Sequence, residues 1–321
     1  MALTDLPLAE LREYRAQLTE PDDFDEFWRN TLAEARTIGG TVSLRPVETA
    51  ITELLVEDLS FPGFGGETVH GWVTRPAHAT GPLPAVVEYL GYNGGRGIPG
   101  ERLQWAAAGY VHVLMDTRGQ GSGWGTGGDT PDPHGSGPAF AGFMTRGITD
   151  RLEYYYRRVF TDAVRLLDAV RHFPFVDAER IAVTGGSQGG GIALAAGGLV
   201  PGLRAVMPDV PFLCDFRHSV DVAMGAPFTE IAGYLAVHRD QVDTVFHTLS
   251  YFDGASFARR VDAPTIISVA LMDEVVPPSG SVAAFNELRI EDRELVIYEF
   301  NGHEGGALLQ WARQASWLAA R

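Results

Sequence analysis

The chain has 321 residues, of which 45% are hydrophobic and 21% charged. That is ordinary globular composition and excludes a disordered or fibrous protein. A chain of this length suits one α/β domain with insertions; it buries roughly 75% of its unfolded surface, enough for a full core and an enclosed pocket. A formal net charge of −16 sets an acidic surface against phosphate backbones, so no nucleic-acid partner is expected.

A single cysteine, Cys214, can form neither an internal disulfide nor a Cys-rich zinc site. With no base to pair it, it reads as a small buried apolar residue rather than a reactive thiol. The opening Met1-Ala2-Leu3-Thr4-Asp5 lacks a basic region followed by an apolar run. No segment reaches about 18 uninterrupted apolar residues. The expectation is a soluble cytoplasmic protein with no membrane partner.

In chain order, residues 22–36 predict a helix capped by Asp22. Phe24, Phe27, Trp28 and Leu32 lie on one face, and this N-terminal arm (1–36) is expected to pack outside the core. Residues 51–59 and 67–75 alternate around Gly63, Gly65 and Gly66, as a hairpin does. The apolar runs 84–90 and 111–115 suit buried strands, with a helix at 101–109 between them. The stretch 117–148 is rich in glycine and proline and has no period, the mark of a functional or interfacial loop. Residues 155–172 carry a helical stripe of Val159, Ala163, Leu166, Leu167 and Val170.

A short strand at 181–184 then leads through Gly185-Gly186-Ser187-Gln188-Gly189-Gly190 into a helix at 189–199. Another strand is expected at 204–207. Residues 212–258 are mainly helical and interrupt the alternation as a cap insertion would. Strands at 264–270 and 294–299 follow, with a helix at about 280–289 between them and a last helix at 305–320. Strands alternating with helices imply a single α/β domain, with a mostly parallel central sheet covered on both faces.

The chemistry is carried by Gly185-x-Ser187-x-Gly189, placed between a strand and a helix. A nucleophile elbow of the α/β-hydrolase fold holds its serine on a sharp turn, and the flanking glycines leave room for the neighbouring strand and helix. A glycine-rich turn with an incidental serine is the bland alternative, and the strand–helix context disfavours it. A serine hydroxyl needs a base. Of nine histidines, only His303 follows the last strand, in Asn301-Gly302-His303-Glu304-Gly305-Gly306. A zincin-type metal reading of His303-Glu304 fails because position 307 is alanine. In this fold the order is Ser, acid, His, which selects Asp273 after strand 264–270 over its neighbour Glu274. Asp262 and Asp292 precede strands and sit at the wrong end of the sheet. The N–H groups of Gln188 and Tyr92 are the expected oxyanion donors; Tyr92 lies in the loop Leu90-Gly91-Tyr92-Asn93-Gly94-Gly95-Arg96. Tyr92, Pro211 and Phe212 are the expected substrate contacts. Gly123-x-Gly125-x-x-Gly128 is rejected as a dinucleotide fingerprint, because Asp129-Thr130-Pro131-Asp132-Pro133 follows where a helix would have to start.

Three blocks in order, Arg118-Gly119-Gln120, Gly185-Gly186-Ser187-Gln188-Gly189 and His303-Glu304, resemble the signature of the acetyl xylan esterase / cephalosporin-C deacetylase family (carbohydrate esterase family 7). Pro21-Asp22-Asp23-Phe24, Met144-Thr145-Arg146-Gly147-Ile148, Tyr154-Tyr155-Tyr156-Arg157-Arg158 and Pro208-Asp209-Val210-Pro211-Phe212 extend the resemblance over nearly the whole chain. It implies hydrolysis of acetate esters on small sugars, chiefly xylo-oligosaccharides, and of the cephalosporin C acetyl group. It implies no metal and no cofactor, and a homohexamer whose active sites face an internal cavity. Arg118 and Gln120 would tie loops near the site. Where several family members have a histidine before the Gly-Tyr of the oxyanion loop, this chain has Leu90. A serine peptidase of the same fold and a non-catalytic binding scaffold are the rival readings.

Overall fold

A computed structural model describes residues 5–135 and 137–321. Met1–Thr4 of the leader reading and Ser136 within the 117–148 stretch lie outside the described residues.

Among the described residues nine strands, numbered in chain order, form one sheet in the order β1-β2-β3-β5-β4-β6-β7-β8-β9. The first part is antiparallel: β1 (Ser43–Val47), β2 (Leu54–Pro62) and β3 (Thr68–Pro76), with β3 running antiparallel to β5 (Val111–Met115). Pro46, which has no N–H to give a ladder, sits in the edge strand β1. The first arm of the hairpin starts at Leu54 rather than at 51 and the second at Thr68 rather than at 67, and the turn at Phe64–Gly66 joins them. From β5 onward every pairing is parallel, through β4 (Leu83–Tyr89), β6 (Val176–Gly186), β7 (Ala205–Asp209), β8 (Thr265–Ala270) and β9 (Arg293–Tyr298). Parallel strands with both faces covered read as continuous apolar runs, and β5 and β8 are buried along their whole length.

One face carries the larger core, built from α2 (Phe24–Thr37), α4 (Tyr155–Val170), α5 (Gln188–Leu199) and the helices that follow. The N-terminal arm is part of that core, not outside it. Trp28 is buried, its indole N–H donates to the Tyr251 carbonyl at 2.9 Å, and its ring meets those of Phe252 and Phe257 at 5.5 Å. Asp22 does not cap α2. Asp23 holds the cap position, and its carboxylate is taken up by the Tyr251 hydroxyl (2.6 Å) and Arg151 (2.8 Å). A short α1 (Leu8–Glu13) precedes this helix.

The other face has a smaller core around Val86, Trp105, Met207, Ile266 and Trp317, covered by α3 (Gln104–Ala107) and α11 (Ala307–Ala319). α3 is four residues long where nine were expected. The segment after β7 forms α6 (Phe216–Val222), α7 (Phe228–Val237), α8 (Val242–Leu249) and α9 (Gly254–Ala258), and α10 (Pro278–Glu287) lies between β8 and β9. The 117–148 stretch has no helix or strand among its described residues, yet it is pinned. Arg118 is fully buried and donates to Asp162 (2.6 and 2.8 Å) and to Glu67 (2.6 Å). Burial pushes the Asp162 carboxyl up, and the Arg118 guanidinium works against that.

Candidate active site

Parallel strands place their C-terminal ends on one side of the sheet, and the expected residues gather there. Ser187 follows β6 with φ 56° and ψ −120°, a left-handed conformation that non-glycine residues rarely adopt. A first side-chain carbon at Gly185 would lie 2.5 Å from the Gly189 carbonyl carbon, and one at Gly189 would lie 2.1 Å from the Tyr89 carbonyl oxygen. The crossing of β4, β6 and α5 is therefore tight enough to demand both outer glycines of the motif.

His303 Nδ1 lies 2.8 Å from Asp273 Oδ2. The Val275 and Val276 N–H groups, both at 2.9 Å, donate to Asp273 Oδ1, so the buried carboxylate is held at both oxygens. An ionised carboxylate only accepts, so this contact puts the proton on Nδ1 and leaves Nε2 as the basic nitrogen. Glu274 is exposed, and Asp292 pairs with Arg321 before β9. Neither rival acid takes the place of Asp273.

Ser187 and His303 line one cavity of about 490 Å3, together with Leu90, Tyr92, Trp124 and Glu230. Gln188 begins α5, so its N–H lies among the donors left free at a helix start. Its buried side chain exchanges two hydrogen bonds with Gln120 (2.8 and 3.1 Å) and accepts one from Tyr156 (2.9 Å). Gln120 also accepts the Asn93 N–H at 2.7 Å. The Arg-Gly-Gln block thus holds the loop carrying Tyr92 against the elbow. The Tyr92 carbonyl accepts the Trp124 indole N–H at 2.7 Å.

Two expected substrate contacts do not reach the cavity. Val210 and Leu213 have φ of 38° and 67°, and the turn they make sends the chain beneath α5. There the Phe212 N–H donates to the Ser187 carbonyl at 2.9 Å. Phe212 is fully buried with its ring centroid 4.4 Å from that of Phe228, and the Ser281 hydroxyl donates to the Pro211 carbonyl at 3.3 Å. Val210, Ala226 and Pro227 line that side of the cavity instead. Cys214 is buried, and burial pushes its thiol up, away from the reactive thiolate.

Three acids at the cavity went unread in the sequence. Glu230 on α7 accepts the Tyr92 hydroxyl at 2.9 Å; burial raises Glu230, and burial with the nearby carboxylate raises Tyr92. Asp209 at the end of β7 is pushed up to about 7 by burial, against hydrogen bonds from Ser268, Gln310 and Gln314. Burial also acts to raise Glu88, but the His112 hydrogen bond and the Arg102 charge outweigh it and hold Glu88 at about 2. No spacing rule points to these residues, because each belongs to a different element.

An elbow serine, an imidazole oriented by a buried carboxylate and a mostly parallel sheet with helices on both faces define an α/β-hydrolase. The acetyl xylan esterase (AXE1) family model matches residues 1–321, and the chain belongs to that family. It is similar to two solved structures. With the acetyl xylan esterase from Paenibacillus sp. R4 it shares 39% identity and a TM-score of 0.91, over 98% of this chain and 99% of that one. With acetyl xylan esterase 1 from Thermoanaerobacterium sp. JW/SL YS485 it shares 33% identity and a TM-score of 0.89, over the same fractions. The acetyl esterase Axe7A of Xylanibacter ruminicola is 29% identical over 304 residues, and the match spans 88% of this chain but 63% of that relative's length.

Proposed function

We propose that the protein is a serine esterase that removes acetyl groups from small acetylated sugars, chiefly xylo-oligosaccharides, and from cephalosporin C. The observation that carries this reading is the elbow serine sharing a cavity with an imidazole whose Nδ1 is fixed by Asp273. Ser187 Oγ attacks the acetyl carbonyl while His303 Nε2 takes its proton. The oxyanion is met by the Gln188 and Tyr92 N–H groups. His303 returns the proton to the departing alcohol. Water then attacks the acetyl-serine as His303 takes its proton, and His303 returns that proton to Ser187 Oγ as the acyl–oxygen bond breaks and acetate leaves. Asp273 steadies the imidazolium throughout.

The printed activities of the Paenibacillus, Thermoanaerobacterium and Xylanibacter relatives support the substrate class. The family resemblance supports a homohexamer, and the chain order supports one domain with an N-terminal arm (1–36) and a cap-like insertion (212–258). Among the described residues no helix is long and apolar enough to cross a membrane.

The test is acetate release from acetylated xylo-oligosaccharides and from cephalosporin C by wild type and Ser187→Ala. The reading requires turnover that the substitution abolishes. If wild type leaves these esters and 4-nitrophenyl acetate intact, the binding-scaffold reading takes its place.

A further inference from the structure

The short α3 leaves a gap in the cover of the sheet. Between α3 and α11, over the C-terminal ends of β4, β6 and β7, lies a crevice of about 240 Å3. Its walls include Arg102, Gln104 and Trp105 on one side and Trp311 and Gln314 on the other, with Glu88 at the strand end. The position follows from topology. The chain leaves β4 to form β5 on one side, then returns past it to form β6 on the other, so the crevice opens where the strand order reverses. Open α/β sheets bind ligands at that point.

The crevice adjoins the Ser187 cavity. Both are lined by Glu88, Arg102, Gly186 and Asp209. A first side-chain carbon at Gly186 would meet nothing within 4 Å, so no side chain walls one space from the other there.

Its chemistry is specific. Trp311, half-buried and packed edge to face at 5.8 Å on the buried Trp105, offers apolar ring surface to the C–H face of a pyranose. Gln104 offers an exposed amide, and Arg102 offers guanidinium donors beyond the one committed to Glu88, while the buried Gln314 spends its NH2 on Met207 and Asp209. Glu88 is fixed in turn by His112 at 2.8 Å. Arg102 is matched by the Glu88 carboxylate, so the crevice presents no surplus positive charge for a phosphate or carboxylate. A space below the roughly 300–1,000 Å3 of independent ligand sites suits one additional ring of a ligand anchored next door.

We propose that this crevice is a second sugar subsite, holding the pyranose adjacent to the acetylated unit whose ester lies at Ser187. The proposal takes its substrate from the deacetylase reading, and the two are tested so that they can fail separately.

Unacetylated xylotriose is titrated calorimetrically into the Ser187→Ala protein, with xylose as the one-ring control. Trp311→Ala and Gln104→Ala are added in the same background. Gln104 is exposed, so its truncation keeps a folded protein in the test even if Trp311→Ala fails to fold. The expected result is xylotriose binding at least 10-fold tighter than xylose. Trp311→Ala should remove that advantage and Gln104→Ala should weaken it 3-fold or more. Absence of xylotriose binding, or a Kd unchanged within twofold in the folded variants, overturns the subsite. Xylotriose binding through Trp311 without acetate release from acetylated xylo-oligosaccharides would sink the deacetylase reading alone. Acetate release without xylotriose binding would sink the subsite alone.

Discussion

The Tyr92 phenol and the Glu230 carboxylate, 138 residues apart, meet at 2.9 Å. The same phenol oxygen accepts the Phe143 N–H, and Glu230 also accepts the Met144 N–H at 3.2 Å. One carboxylate on α7 therefore binds together the loop of Tyr92, the long 117–148 stretch and the helical insertion. Gly142, at φ 114°, passes so close that a side-chain carbon there would lie 2.1 Å from Glu230.

Removing that carboxylate leaves a half-buried phenol without its acceptor and frees the loop that carries the Tyr92 N–H. Glu230→Ala is expected to lower kcat for 4-nitrophenyl acetate roughly 10- to 100-fold, since misplaced oxyanion donors lose much of their effect. Glu230→Gln, which keeps an acceptor, should stay within a few-fold of wild type. Equal losses in the two variants would mean that the negative charge, not the hydrogen bond, matters.

Asp273→Asn retains the shape of the acid but presents an amide to His303. The Val275 and Val276 N–H groups favour its oxygen on their side, which turns the NH2 toward the imidazole and selects the wrong tautomer. The expected fall in kcat is about 10⁴-fold with the fold intact by circular dichroism. A loss under 10-fold would assign the orienting role elsewhere.

Asp209 links stability to pH. Its folded value of about 7 lies above the ordinary 3.8, because it is buried near the Glu88 charge without a cation of its own. Folded Asp209 is protonated through that window while the unfolded chain is ionised. Its stabilising contribution is therefore full below about 3.8 and is lost as pH rises to about 7. Asp209→Asn removes this dependence. From pH 5 to 7.5, wild type should lose on the order of 3 kcal/mol relative to the variant, at about 1.4 kcal/mol per pH unit. Urea unfolding at both pH values checks this, and parallel shifts in the two proteins would refute it.

Gly189→Ala places a methyl 2.1 Å from the Tyr89 carbonyl oxygen, and backbone cannot swing aside as a flexible side chain can. A loss of at least several kcal/mol, seen as insoluble or unfolded protein, is expected. Gly186→Ala meets no atom within 4 Å and should fold, so a thermal scan of the pair separates crowding from a general intolerance of the elbow.

The chain order of Ser187, Asp273 and His303 was legible because each follows an apolar strand run and precedes a helix signal, and the structure brings His303 and Asp273 into contact. The strands were legible for the same reason, with β5 placed to the residue. What escaped was set by tertiary contact. The edge strand β1, half exposed and carrying Pro46, has no strong alternation. α3 stops after four residues although its sequence allows more, since Gly109 takes φ 95° to turn the chain into β5. Pro211 and Phe212 had the right place in the chain but the wrong direction, because two left-handed residues turn the backbone under α5. Glu230 acts on Tyr92 from another element, and local sequence holds no trace of that.

The brevity of α3 separates two properties that most enzymes must alter together. Ser187, Asp273 and His303 stand on β6, β8 and β9, whereas the roof of the crevice is set by how many residues a helix spends between β4 and β5. One more helical turn there would close the crevice and leave Ser187, Asp273 and His303 where they are. Deletions would do the reverse. Indels at this one surface segment can therefore reshape the crevice without moving the strands that carry those three residues, a change that surface connections tolerate far better than strands do.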